Sequence, residues 1–306
     1  MAPFFSSGEP PVKGKKRQVK TCFGIVTVNS RRAKQLGLAP RTQLSPVMTK
    51  CCWVASAKSS YEEAEQDLAL MMGIKIGHSS LHRLVQKSNF PQADSKQKVD
   101  SLSVDGGKIR LRTEKPGPCE WRDYKAVSLH DSVCQAYFQE NEALISWVHK
   151  QSLSRMITSV GDGHDGVCNI ISRLKPSSER RDVLDWYHLV ENLYKIGGSS
   201  QQLKRLKSSL WRGCVDEVLE ELSERKGQRV QNFRAYLAKH RYRLVNYDLY
   251  QSLGYAIGSG SVESTVKRIG ARVKISGAQW LKQSVSKILH LRCAYLNGDF
   301  SLSISA

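Results

Sequence analysis

The chain has 306 residues, 40% hydrophobic and 25% charged, the balance of one large or two modest folded domains rather than of a disordered chain. Lysine and arginine number 47 against 28 acidic residues, a net charge of +19; that field draws polyanions, nucleic acid first, although a merely basic protein is the plainer reading. No apolar run reaches the ~18–20 residues of a membrane span, the amino end holds no secretory core, and eight cysteines without a C-x-x-C pair argue against a zinc ribbon or disulfide scaffold and suit a reducing interior.

Residues 1–20 read as a loose basic arm. C-F-G-I-V-T-V-N-S (22–30) has the β-branched run of a strand, and L-G-L-A-P-R-T-Q-L-S-P (36–46) is a turn-rich connector. A helix pair follows. Ser60 and Glu63 form a capping-box pattern, Ala64, Leu68 and Met71 share a face, and Gly73 ends the first helix. In the second, Ser79 is placed to cap, Leu81, Leu84 and Val85 to point inward, and His82, Arg83 and Lys87 outward. This outlines a helix-turn-helix, which together with the charge points to DNA reading.

Beyond a polar linker at 89–98 the pattern turns to strands. V-D-S-L-S-V-D-G-G-K-I-R-L-R reads as two β runs around an Asp-Gly-Gly turn, and E-W-R-D-Y-K-A-V-S-L-H (120–130) as a third strand. An amphipathic helix spans 140–153 and an apolar strand 155–163, followed by a helix. A strand passes into a helix in R-R-D-V-L-D-W-Y-H-L-V-E-N-L-Y-K-I. Residues 189–255 are helical and basic, and a glycine-rich loop opens another helix at 257–270. This order predicts an α/β fold: a ribonuclease-H-like mixed sheet with helices on both faces and an all-helical insertion near 189–255, preceded by the helix-turn-helix region. The expected divisions are 1–55 (arm and short strand), 56–95 (helix-turn-helix) and 96–306 (the α/β domain).

Three carboxylates stand where such sheets gather chemistry. Asp105 and Asp162 close predicted strands and Glu263 lies in a helix's first turn. Hard oxygen ligands suit Mg2+ or Mn2+, and two such ions support in-line phosphoryl displacement. Each residue also has a plainer reading: Asp105 holding a hairpin, Asp162 capping a helix (as Asp165 also could), Glu263 complementing a helix dipole.

The blocks S-V-D-G-G-K-I-R-L-R (103–112), W-R-D-Y-K (121–125), G-D-G-H-D-G (161–166), L-D-W-Y-H-L-V-E-N-L-Y-K (184–195), I-G-S-G-S-V-E-S (257–264), K-I-S-G-A-Q-W (274–280) and R-C-A-Y-L-N-G (292–298) resemble transposases of the ISKra group of prokaryotic insertion sequences. These are Mutator-like DDE enzymes with a ribonuclease-H-like core, and the likeness spans about residues 55–298. It implies metal-dependent DNA cleavage and strand transfer at terminal inverted repeats, with Asp105, Asp162 and Glu263 holding two Mg2+ or Mn2+ ions. Asp185 and His188, in D-W-Y-H, match a D-x-x-H signature of related enzymes, which implies a supporting place near the metals. Arg110, Arg112, Arg83, Lys87, Arg268, Arg272 and Lys274 are candidate DNA contacts. DNA ends and target DNA are the expected partners, with a homodimer or larger assembly on DNA, no membrane, and a cytoplasmic, nucleoid-associated location. Two departures stand out: Cys168 where an aromatic is usual, and an amino end that looks short and lacks the paired cysteines common in relatives, which raises the expectation of truncation. A non-catalytic DNA-binding remnant and a ribonuclease-H-like nuclease are the alternatives.

Overall fold

A computed structural model describes residues 16–113, 117–130 and 132–300, so the expected arm lies outside the described residues up to position 15. Positions 16–20 are not loose: β1 (Lys16–Thr21) pairs antiparallel with β2 (Gly24–Asn29), and Val19, opposite Val26, is fully buried. The helices α1 (Ser30–Gln35), α2 (Pro46–Lys58), α3 (Tyr61–Met72) and α4 (His78–Lys87) follow. Residues 16–88, with Phe300, form one unit and 89–299 a second. A boundary at 55 would cut α2, whose Met48, Cys52 and Ala55 share a core with Ala64, Leu68 and Leu81.

The capping box of α3 is present in both directions, Ser60 Oγ accepting from the Glu63 N–H and Glu63 Oε2 from the Ser60 N–H, and Gly73 ends the helix at φ 65°. Met71 is 68% exposed; the buried stripe runs instead from Ala64 and Leu68 to Met72, the next i+4 position. Helix α4 does not use Ser79 as its cap. It begins one residue earlier, and its His78 N–H is taken by the Glu65 carboxylate reaching over from α3 at 2.7 Å. Leu81 and Val85 are buried and Leu84 half-buried, while Arg83 and Lys87 are exposed.

The second unit is a mixed α/β fold. Its elements are β3 (Val99–Leu111), β4 (Glu120–Leu129), β5 (Val133–Tyr137), α5 (Asn141–His149), β6 (Leu153–Gly161), α6 (Asp165–Leu174), β7 (Arg180–Leu184), α7 (Trp186–Tyr194), α8 (Ser200–Trp211), α9 (Val215–Ser223), α10 (Gln228–Lys239), α11 (Tyr247–Ser252), α12 (Gly260–Val273) and α13 (Lys282–Leu296). The five strands lie in the order β5-β4-β3-β6-β7; β3 is central, antiparallel to β4 and parallel to β6, and β6 is parallel to β7. Alternation along β3 sends Leu102 and Val104 into a core with Leu144 and Trp147 of α5 and Ile170 of α6. The opposite face, with Ser103, Asp105 and Gly107, meets α12: Ser103 Oγ lies 3.2 Å from Ser261 Oγ. Helices α8 to α11 bury Leu203, Leu210, Val218, Phe233 and Tyr247 in a core shared with β7 and α7.

The expected Asp-Gly-Gly hairpin is absent. Strand β3 runs unbroken through Asp105, Gly106 and Gly107, which pair with Ala126, Lys125 and Tyr124 of β4. The glycine serves a close approach rather than a turn: a Cβ at Gly107 would sit 2.2 Å from Cζ of Tyr124, a ring with no exposed surface. The Gly107→Ala protein is therefore expected to lose about 1–3 kcal/mol of stability through overpacking, read as a lower thermal midpoint; an unchanged midpoint would remove this reason for the glycine. No helix among the described residues is long and apolar enough to cross a membrane.

Candidate active site

Asp105 sits in the middle of β3 on the α12 face, half-buried, with Oδ1 accepting the Gly106 N–H at 2.6 Å. Burial raises its carboxyl above the ordinary value, and the negative charges of Asp162 and Glu263 raise it further; the Gly106 hydrogen bond and His188 act the other way. Three remote segments thus bring Asp105, Asp162 and Glu263 into one electrostatic neighbourhood, with His188 beside them.

Asp162 follows the last residue of β6 and is half-buried. Its Oδ1 accepts the His164 N–H at 2.8 Å, while the cap of α6 is His164 itself and Asp165 pairs with Lys239. The V-G-D-G turn rests on groups from the helical insertion. Gly163, at φ +86°, lies against the buried His240 ring, and a Cβ there would meet it at 2.9 Å. Beneath Gly161 lies Arg243, only 1% exposed, its Nη1 donating to Cys168 Sγ at 2.9 Å. Cys168, the departure from the resembled pattern, is the partner of this buried guanidinium.

Glu263 stands in the first turn of α12. Its Oε1 lies 3.2 Å from Ser259 Oγ, whose one proton it shares with the closer Asp185 carboxylate, and 3.3 Å from His188 Nε2; Nδ1 of that ring is 3.7 Å from Glu191. The fully buried Asp185 ties these parts together. Oδ1 accepts the His188 N–H at 2.8 Å and caps α7, while Oδ2 accepts both the Ser259 N–H and, at 2.7 Å, the Ser259 hydroxyl.

Asp185, His188 and Glu263 offer ligand atoms within 4.8 Å of one another. Proximity alone does not make them the ligand set, because both Asp185 oxygens are already committed to buried donors. Among the described residues, Glu263 keeps Oε2 outside this network, and Asp105 and Asp162 each keep one oxygen beyond their backbone bonds. Burial first, and then the negative charges of Asp162 and Glu263, raise Asp105; that added negative charge is what a divalent cation relieves, and hard carboxylate oxygens fit Mg2+ or Mn2+.

The basic candidates separate by exposure. Arg112, Arg268 and Lys274 are exposed, as are Arg83 and Lys87 of the first unit; Arg110 is half-buried, with Nη2 on Cys119 Sγ at 2.6 Å. Arg272 is not a surface group. It is 1% exposed and lies over the Trp280 ring at 5.1 Å, a cation–π contact inside the fold, and it is withdrawn as a DNA contact. Sequence reasoning missed Ser259 and Arg243. The spacing of four between Ser259 and Glu263 on a helix start is a signal for the first; the basic run around Arg243 hides the second. No known protein-family model matches the chain, and no curated protein matches it.

Proposed function

We propose that this chain is a DDE-type transposase that cuts DNA at the terminal inverted repeats of an insertion sequence and joins the ends to target DNA. The observation that carries the reading is that Asp162 and Glu263, from remote segments, lie near enough to Asp105 for their charges to add to burial in raising its carboxyl, each within a motif that resembles that family. The sheet order, with an antiparallel hairpin on one side of β3 and two parallel strands on the other, supports a ribonuclease-H-like core, and the helical block between β7 and α12 supports the insertion. The α3–α4 pair supports a helix-turn-helix reading of DNA.

Asp105, Asp162 and Glu263 would hold two divalent ions, which when bound neutralise charge on the attacking and leaving oxygens of an in-line displacement. The remaining chemistry belongs to positioning. Ser259 and His188 hold Oε1 of Glu263, and Asp185 holds both of them through their backbone N–H groups. Exposed Arg112, Arg268 and Lys274 offer charge to backbone phosphates. Water attack forms a new P–O bond as the bond to the 3′ oxygen breaks, leaving a 5′-phosphate and a 3′-hydroxyl. Attack by that hydroxyl on a second strand forms one P–O bond and breaks another, so one site serves cutting and joining. A dimer or larger assembly on two DNA ends and a nucleoid-associated, cytoplasmic location follow from this reading.

The test is incubation of the full chain with Mg2+ and a duplex taken from the DNA flanking its own reading frame. Cleaved and joined strands are expected from the parent, and neither from Asp162→Asn. Binding without cleavage in Mg2+ and Mn2+ would mark a non-catalytic remnant; cleavage without joining would mark a nuclease.

A further inference from the structure

Residues 10–61 contain no aspartate or glutamate, and neither do residues 68–93; the acids of the first unit's described residues cluster on α3, at Glu62, Glu63, Glu65 and Asp67. The acid-free segments meet in a cleft of about 610 Å³ lined by Lys20 of β1, Arg41 of the connector, and Arg83 and Lys87 of α4, over an apolar floor that includes Leu44 and Ile76. Among the described residues no carboxylate lines it. Arg41, Arg83 and Lys87 are exposed, and none of the four cations is ion-paired with a described residue. Lys20 Nζ is anchored on the Lys75 carbonyl at 2.7 Å and Arg83 Nε on the Ser79 carbonyl at 3.1 Å, so both heads are held at the cleft.

Arg41 adds a second, independent observation. Its φ is +61°, a left-handed conformation that glycine adopts without cost and a long side chain does not. An arginine thus stands at a position where the backbone favours glycine, at the rim of this cleft.

We infer that the cleft of Lys20, Arg41, Arg83 and Lys87 is a seat for the phosphate backbone of double-stranded DNA, with the connector as its second wall beside α4. The inference rests on the DNA reading above, and extends it from a recognition helix alone to a cleft built from three segments. Ser80, Arg83 and Lys87 line it from α4, a run of about 10 Å at 1.5 Å per residue, longer than one phosphate and able to reach neighbouring phosphates of a strand whose charges rise about 3.4 Å per nucleotide along the duplex axis. That length suits consecutive phosphates better than a lone anion. Phosphate contacts of this kind position a duplex without reading its sequence.

The test is fluorescence anisotropy of the full chain with an arbitrary duplex of about 20 base pairs, in EDTA, across about 50–200 mM NaCl. The protein with Arg41→Gly, Arg83→Gln and Lys87→Gln is compared with one carrying Arg31→Gln, Lys34→Gln and Lys58→Gln, three charges of the same unit outside the cleft. The cleft variant is expected to bind about 10-fold more weakly or worse, with a salt slope shallower by about 2 to 3, since each lost phosphate contact removes about 0.9 from the slope; the second variant changes less. Arg41→Gly alone is expected to bind more weakly while its thermal midpoint holds or rises, because the substitution relieves the backbone. Equal loss in both triple variants, or no loss in the cleft variant, overturns the inference, as does binding to phosphatidylserine vesicles that depends on these residues when DNA binding does not. Cleavage is not read, so failure here leaves the catalytic proposal standing, and failure of cleavage leaves this result intact.

Discussion

Replacing Asp105 with asparagine is expected to reduce DNA cleavage by about 10³-fold or more, since metal-held charge stabilisation supplies several kcal/mol and each 1.36 kcal/mol is a factor of ten. The same substitution is not expected to weaken the fold. Asparagine keeps the shape and an oxygen for the Gly106 N–H. The sign of the electrostatics favours it: burial, then the charges of Asp162 and Glu263, raise this carboxyl in the folded state. A raised acid binds its proton more tightly folded than unfolded. Its contribution is therefore stabilising when protonated and is lost as pH rises through the raised value, so at pH 7 the metal-free parent carries an ionisation penalty. Asp105→Asn removes that penalty, and its thermal midpoint at pH 7 without metal should equal or exceed the parent's. Added Mn2+ should raise the parent's midpoint and leave the variant's nearly unmoved. A variant that melts lower, responds to Mn2+ like the parent and still cuts would contradict the role given to Asp105.

Asp185→Ala carries the second large effect, for the opposite reason. Asp185 is fully buried and accepts three hydrogen bonds, from the His188 N–H and from the Ser259 N–H and hydroxyl. Alanine leaves buried donors unpaired, a cost of roughly 3 kcal/mol or more, because hydrogen bonds to charged groups are worth about 1.5–3 kcal/mol each and an orphaned partner adds its desolvation. The loop before α12 then loses its anchor, and with it the Ser259 hydroxyl that holds Glu263. Cleavage should fall about 10²-fold even where the variant is still folded, the scale of a displacement near 1 Å at a reacting centre. Ser259→Ala tests positioning separately: it removes the contact to Glu263 and one of the three bonds to Asp185, so it should lose cleavage with a smaller loss of stability. If Asp185→Ala loses stability but cuts at the parental rate when folded, Asp185 is a structural cap only.

The parts of this molecule that were legible in its sequence are those decided locally. The Ser60–Glu63 capping box, the glycine stop at 73, the apolar strand before Asp162 and the strand-to-helix passage through Asp185 each depend on neighbours within a few residues. The parts that were not legible depend on distant partners. Asp105-Gly106-Gly107 has the composition of a turn, yet the ring of Tyr124 across the sheet makes it strand. Helix α2 has no clean apolar stripe and packs against α3 and α4, so periodicity misses it; its signal is the Ser45 cap and Pro46 at the first helical turn.

The candidate site divides the same way. Asp162 and Glu263 stand out because acidic residues at strand ends and helix starts carry chemistry in α/β sheets; Asp105 stands out as the end of a strand that in fact runs on through it. That Asp185 spends both oxygens on backbone and hydroxyl donors, while His188 turns its Nε2 to Glu263, depends on how the loop before α12 closes over α7. Burial of Arg243 and Arg272 is likewise invisible to composition, because a basic residue in a basic stretch reads as surface.

Whether Asp105, Asp162 and Glu263 form one divalent-metal centre is decided by Mn2+ titration of the full chain, followed by calorimetry or by the electron paramagnetic resonance of free Mn2+. The parent is predicted to take up about two ions, and Asp105→Asn, Asp162→Asn and Glu263→Gln each to lose uptake while remaining folded. Uptake that survives all three substitutions, or a parent that takes up no Mn2+ with or without DNA, would contradict the account.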